Sequence, residues 1–347
     1  MSDQFGADPL LVETIDRLLT DVCSATEIES AETSGWSSSV WDAIADVGFP
    51  WVSVPLEAGG SGGSLADAMA ILYCVGGHAA PVPVAETGVL AGWLMASAGL
   101  ALPAGPVTMV PEADALSFAD GRLTGTATVV WAQQCERIVA LVAHGPGYVV
   151  ASTNPSQLEI TSGQSLAGEP RDLVRFDLRL SDVDYAPTTA SPVELRNRGA
   201  LSRVVMSAGA LNTIAQMTIA YTGDRQQFGK PVASFQAVQH HLVTVAQCAV
   251  RVNIAAQAAT RAVARGDAGI HIASAKVITD QAITAGTRAA HQAHGAMGVT
   301  REYPLHRFTR RLWAWQHEYG SAATWRRELG QHAHSGGADN LFPLITR

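Results

Sequence analysis

The sequence predicts an α+β fold in three parts. These are an N-terminal helical domain over residues 1–102, a small central β-domain over 103–190 and a C-terminal four-helix bundle over 191–347. Three observations carry the prediction. Apolar residues recur at i+3/i+4 near both ends of the chain, the pattern of a helix that buries one face. Between about 103 and 190 they recur every second residue, the pattern of a half-buried strand. The chain is also long for one core at 347 residues, and its 47% apolar and 16% charged residues describe a globular protein without a disorder signature.

The elements follow in order. Val40, Ala43, Ile44 and Val47 form a helical stripe that Gly48-Phe-Pro breaks. Val54 to Gly63 is a glycine-rich loop, and Ser64 is placed to cap a helix over 65–75. In the middle of the chain, Arg137–Ala143 and Tyr148–Ala151 flank His144-Gly-Pro-Gly147 as a hairpin. Val174 to Leu180 alternates apolar and charged residues strictly, as a strand with one wet face does. Helical period returns at Leu201, Val204, Val205, Ala208, Leu211, Ala215 and Ile219. A second long stripe runs from Val238 through Val245, Val252 and Ala259 to Val263, with Gly266 suited to the C-terminal cap. Many of these positions are alanine, so the helices are able to approach closely in a bundle.

Composition narrows the function. A net charge of −8 argues against nucleic acid as the main partner. The four cysteines, Cys23, Cys74, Cys135 and Cys248, are scattered without a C-x-x-C pair and read as free thiols of a cytosolic protein. The N-terminus has no basic segment followed by an apolar one, so secretion is not expected. The apolar run Gly88–Leu102 is short of the roughly 20 residues a membrane span needs. A cytoplasmic protein without membrane or nucleic-acid partners is the expectation.

Two stretches are candidates for ligand binding. Tyr221-Thr-Gly-Asp-Arg225-Gln-Gln-Phe-Gly229-Lys-Pro-Val-Ala-Ser-Phe235-Gln236 is a polar, sharply turned link between two long helices. Arg225 offers a planar fork of donors that suits a pyrophosphate, Gln227 adds amide donors, and Phe228 and Phe235 add aromatic surface. By itself such a link is ordinarily just solvated. The second stretch is Gln292-Ala-His-Gly295-Ala-Met-Gly298-Val-Thr-Arg-Glu302-Tyr-Pro304, where glycines let backbone N–H groups approach a ligand.

Together these strings resemble the flavin-binding signatures of the acyl-CoA dehydrogenase family. R-x-Q-F-G-K-P-x-x-x-F-Q matches at Arg225, Gln227, Phe228, Phe235 and Gln236. The glycine turn near the C-terminus matches at Gln292 and Gly295, with Ala296 where the family has a second glycine. The loop Val54–Gly63 and Pro81–Thr87 resemble further family segments. The resemblance implies FAD as cofactor, held largely at a boundary between subunits. It also implies α,β-dehydrogenation of an acyl-CoA from fatty-acid or sterol side-chain metabolism, with electrons passed to an electron-transfer flavoprotein. The order helices, β-domain, bundle is that of the family.

Such a reaction needs a base for the α-proton while hydride leaves the β-carbon for the flavin. In most relatives the base is the glutamate of a Tyr-Glu-Gly-Thr loop. Counting sixteen residues from Pro304 reaches Gly320, which puts Tyr319 at the base position and Glu318 one residue early. The alternative family position, on the first bundle helix, falls on Gly199 or Ala200. Glu318 is therefore either the base of a re-shaped loop or a carboxylate paired with Arg310, Arg311 or His317. The family's Thr-Glu-Pro segment has no counterpart between Pro103 and Gly121, and the β-domain is shorter than usual. In the strand text Gly125–Trp131, Trp131 is either a flavin-ring contact or core packing.

The histidines at 240, 241, 291 and 294 lack the partners of a metal site. Arg307, Arg310 and Arg311 form a basic helical face that is solvated, paired with acids or aimed at the 3′-phosphate of coenzyme A. Three functional readings stand: an active dehydrogenase, as a homo-oligomer or heterotetramer with another family chain; a reduced partner subunit of such a mixed assembly; and a flavin-free acyl-binding scaffold.

Overall fold

A computed structural model describes residues 5–266 and 268–337; residues 1–4 and 338–347, at the ends of the two predicted helical domains, lie outside the described residues. The first helices begin where short polar side chains meet bare helix N–H groups. Asp8 caps α1 (Pro9–Val22), Ser24 caps α2 (Ala25–Ser34) and Ser37 caps α3 (Ser38–Ala45). Ser64 and Asp67 form a reciprocal capping box for α4 (Leu65–Gly77). A wide π-helical stretch, Ala85–Gly92, then runs into α5 (Trp93–Ser97), and this apolar segment is almost wholly buried.

The strands between residues 107 and 188 form two four-stranded sheets. One holds β1 (Val107–Met109), β4 (Arg137–His144), β5 (Gly147–Thr153) and β8 (Asp184–Thr188), in the order 1-4-5-8. The other orders β2 (Leu116–Ala119), β3 (Arg122–Val130), β7 (Arg171–Arg179) and β6 (Glu159–Thr161) as 2-3-7-6. The β4–β5 hairpin closes with His144 opposite Gly147, and Gly145 takes a positive φ in its turn. In β7 every second residue from Asp172 to Leu178 is buried, as its alternation requires. Leu123, Val129, Ile138, Val142, Val174 and Phe176 fill the space between the sheets.

The C-terminal part is helical: α6 (Pro192–Asp224), α7 (Gln236–Ala264), α8 (Gly269–His294), α9 (Leu305–Trp315) and α10 (Ala322–Gly336). Ser191 and Glu194 form a second capping box, with Pro192 at the first turn of α6. α6 is the central pillar. It packs on α4 so closely that a Cβ on Gly76 would lie 2.1 Å from the Met206 carbonyl oxygen, and one on Gly209 would lie 2.0 Å from that of Tyr73. Glycine is therefore required on both sides of this crossing. Ile219, at the outer end of α6, has left the core and is exposed.

Candidate functional site

The β-domain and the bundle enclose a cavity of about 710 Å³. Met109, Leu116, Val130 and Tyr148 give it an apolar wall, and Arg196, Arg203 and the 317–320 loop close the opposite side. The loop is set by two tethers. Its Glu318 carboxylate accepts from Arg171 Nη1 (2.9 Å) through Oε1 and from Arg203 Nε through Oε2. Lys276 Nζ, from α8, donates to the carbonyl oxygens of Gln316 (3.2 Å) and Glu318 (3.0 Å).

Arg203 ties the arrangement to the N-terminal domain through Glu86, which is also buried. Burial works against the charge on Arg203. The carboxylates of Glu318 and Glu86 outweigh it and hold the guanidinium well above its ordinary pKa. Lys276 is lowered to about 8, chiefly by burial, with Glu318 opposing. Both oxygens of Glu318 are thus committed to guanidinium groups, which anchor the carboxylate instead of leaving it free to swing toward a ligand.

The neighbouring Tyr319 sits at φ +56°, a left-handed conformation rarely taken by a bulky residue. Its ring lies flat on α6: a Cβ at Gly199 would come within 2.2 Å of Tyr319 Cδ1. Burial raises the phenol well above its usual range, so it stays neutral. The ring of Tyr319 therefore fills the space where position 199 has no side chain.

The basic face of α9 is consumed by acids. Arg307 pairs with Glu29 (2.5 Å) and Arg310 with Glu32, both on α2, while Arg311 pairs with the buried Glu169 (3.1 Å). Trp315 Nε1 donates to the second oxygen of Glu169 at 3.2 Å. Of the three readings of this face, pairing with acids is the one observed. Glu318 correspondingly does not pair with Arg310 or Arg311; its partners are Arg171 and Arg203.

A second region lies at the far end of α6. The Arg225 N–H caps the helix by donating to the Tyr221 carbonyl, and a small hairpin follows, β9 (Gln226–Gln227) with β10 (Lys230–Pro231). Phe228 and Gly229 both have positive φ, as a tight two-residue turn demands. Phe228 is 91% exposed, an aromatic ring held in water in a strained conformation. The base of the hairpin is joined to the Gln292 stretch by a ring cluster: Tyr221 stacks on His294 at 4.6 Å, and Tyr303 lies 5.2 Å from Tyr221 and 4.8 Å from His294.

Gly295 ends α8 at φ +60°, ψ −139°, with open space where a side chain would stand. Ala296 lies outside the positive-φ region, so its methyl group costs nothing in backbone strain. Arg225, Gln227, Gln236 and Gln292 are all exposed, and Phe235 beside them is partly buried. This end of the bundle therefore offers cationic and amide donors, aromatic faces and an unobstructed glycine turn, the donor set an anionic dinucleotide requires.

The model of the acyl-CoA dehydrogenase C-terminal domain matches residues 194–333, which include both the hairpin and the glycine turn. Over residues 194–333 the chain is similar to the acyl-CoA dehydrogenase C-terminal domain, and it resembles acyl-CoA dehydrogenases along most of its length. Acyl-CoA dehydrogenase IpdE2 of Mycolicibacterium smegmatis is 27% identical over 87% of this chain and 91% of that one. Acyl-CoA dehydrogenase FadE27 of Mycobacterium tuberculosis is 29% identical over 91% of this chain and 94% of its own. Among solved structures, a chain of the ChsE4–ChsE5 complex from Mycobacterium tuberculosis superposes with a TM-score of 0.87 at 21% identity, covering 97% of this chain and all of that one.

Against the family pattern, this acyl-CoA dehydrogenase homologue is uneven. The Arg225 and Gln292 stretches are brought together, whereas Trp131 and Glu318 are not part of that cluster. Trp131 packs in the core: it is 3% exposed, and its indole N–H donates to the Gly35 carbonyl at 3.2 Å, sealing α2 against the end of β3. Arg203, Glu86, Arg171 and Lys276 were not singled out from the sequence. The available signal was a lone charge inside an apolar run, visible at Arg203 within α6 and Lys276 within α8.

Proposed function

We propose that the chain is the reduced partner subunit of a heteromeric, FAD-dependent acyl-CoA dehydrogenase. It contributes one wall of a flavin site whose catalytic base belongs to another family chain. The observation that carries this reading is Glu318 bound through both oxygens by Arg171 and Arg203, next to a Tyr319 ring lying on Gly199. The positions where relatives place a base thus hold a neutral phenol at Tyr319 and no acid at Gly199 or Ala200, and the adjacent carboxylate, Glu318, is anchored. The mixed ChsE4–ChsE5 complex among the structural neighbours fits such an arrangement.

In this reading the chain's own work is binding and orientation. Arg225 and Gln227 present donors to the cofactor's phosphates, and Gln292 with the Gly295 turn presents amide groups to its adenosine end. Phe228 and Phe235 cover apolar surface at the boundary and exclude water from it. FAD would supply the acceptor for hydride leaving the acyl-CoA β-carbon, with electrons passed on to an electron-transfer flavoprotein.

One observation favours the solitary dehydrogenase: the cavity of about 710 Å³ persists beside Glu318. Purification separates the two. The partner-subunit reading expects no flavin absorbance from the chain alone, and flavin with acyl-CoA-dependent bleaching when it is co-expressed with a family member carrying a catalytic glutamate. A flavin-loaded chain that is reduced by acyl-CoA on its own would refute it.

A further inference from the structure

A second groove, of about 780 Å³, lies where α1 and α4 of the N-terminal domain meet α6 and α9 of the bundle. It shares no lining residue with the cavity beside Glu318, and none with the Arg225 hairpin or the glycine turn at 292–298. Small molecules are commonly held in grooves of this size between domains.

Arg307 is the one arginine or lysine of the lining among the described residues, and it is 6% exposed. An arginine is seldom buried this deeply unless its charge is answered. Here the answer is incomplete. Glu29 takes Nη2 at 2.5 Å, but that carboxylate is itself 62% exposed, and Nε is buried with no acceptor among the described residues. Arg311, one turn further along α9, shows the contrast: it is also buried, and its acid, Glu169, is buried with it. Arg307 therefore keeps donor capacity for a second carboxylate arriving through the groove.

The rest of the lining defines what such an acid carries. Tyr73, Tyr303 and Phe308 contribute rings, which suit a flat, ring-bearing body. Asn212, Gln216 and Asn253 contribute amides, which suit hydroxyl or carbonyl groups along it. The thiols of Cys23 and Cys74 are pushed up to about 12 by burial, so they stay neutral and serve as apolar wall. Asp16, the one carboxylate of the lining, is held by His78 at 2.9 Å. A single arginine matches a single negative charge. A phosphate monoester carries roughly two near neutral pH and would be left half answered.

We infer that this groove binds a small, ring-bearing carboxylic acid as its monoanion, with the carboxylate on Arg307 and the ring body among Tyr73, Tyr303 and Phe308. The inference is independent of the partner-subunit reading, since neither Glu318 nor the hairpin takes part.

The test titrates the purified full chain with 2-naphthoate, and with 2-naphthamide as its neutral isostere, by isothermal titration calorimetry. Saturable binding of the naphthoate is expected, about tenfold tighter than that of the amide. Arg307→Gln should weaken naphthoate binding by about tenfold and leave the amide unchanged. Glu29→Gln, at an exposed position, should tighten naphthoate binding severalfold because a competing carboxylate is gone. An ion pair that serves only the fold predicts no such gain. Ala220→Trp, on the exposed wall of the groove, should block both ligands. Circular dichroism checks that each variant folds, and if Arg307→Gln does not, the Glu29→Gln and Ala220→Trp arms decide. The inference is overturned by absence of saturable binding at millimolar naphthoate, by equal affinity for acid and amide, or by binding that survives Ala220→Trp. Loss of binding with Arg196→Gln in place of Arg307→Gln would put the acid in the cavity beside Glu318 and overturn it as well.

Discussion

Glu318→Gln distinguishes an anchor from a base because the two roles make opposite predictions for stability and turnover. The substitution preserves shape and removes charge, and its new amide must meet one of the two guanidinium groups donor to donor. Removing one partner from a buried ion pair costs about 3–5 kcal/mol. Two features reduce this figure. Arg203 keeps its second partner, Glu86, and Arg171 is 35% exposed, so its share is that of a surface pair, roughly 0–1 kcal/mol. A net loss of about 2–3 kcal/mol is expected. At about 2–4 °C per kcal/mol, the melting temperature of the purified complex should fall by roughly 4–12 °C. Turnover of the folded complex at low temperature should stay within about twofold, since general-base loss would instead cost on the order of 100-fold or more. Thermal unfolding by circular dichroism and flavin bleaching by acyl-CoA read the two quantities on one sample. An unchanged melting temperature with turnover lost would show that Glu318 takes the proton, and the anchoring argument would fail.

Three further perturbations probe the same surroundings. Gly199→Ala places a Cβ within 2.2 Å of the Tyr319 ring, and overpacking should cost about 1–3 kcal/mol in urea unfolding. Tyr319→Ala in the same chain should recover part of that loss, and strict additivity would mean the two positions do not touch. Lys276 is depressed by burial to about 8 from an ordinary 10.5. Between those values the unfolded chain binds a proton that the folded chain does not, so Lys276 makes stability rise with pH across that window and contributes no slope below it. Lys276→Met should flatten this rise between about pH 8 and 9.5, and an identical pH profile for variant and wild type would contradict the assignment. Arg225→Ala should reduce flavin retained through gel filtration of the mixed complex by about tenfold, whereas full retention would remove Arg225 from the cofactor site.

How much of this was legible in the sequence depends on the range of the interaction. Features set within one turn of chain were visible: the Ser64 cap, the alternation of β7 and the inward stripe of α7 all depend on residues a few positions apart. The anchoring of Glu318 was not, because Arg203 lies 115 residues away and Arg171 lies 147 away. Proximity in sequence points instead to Arg310, Arg311 or His317, and the two arginine side chains are taken by Glu32 and Glu169. Trp131 was ambiguous for the same reason, since the carbonyl that receives its N–H belongs to Gly35, 96 residues earlier.

The outward face of α7 is a different case, because its spacing is as regular as that of the buried stripe. Periodicity finds both faces of a helix but does not say which one the chain itself covers. Only the placement of α4, α6 and α8 shows that Val243, Val250 and Ile254 are left over. A bundle helix with a covered alanine-rich face and an uncovered valine and isoleucine face has more apolar surface than its own fold uses. The surplus, Arg251 and Arg261 beside it and the exposed Phe228 hairpin at its head all lie on one helix and its approach.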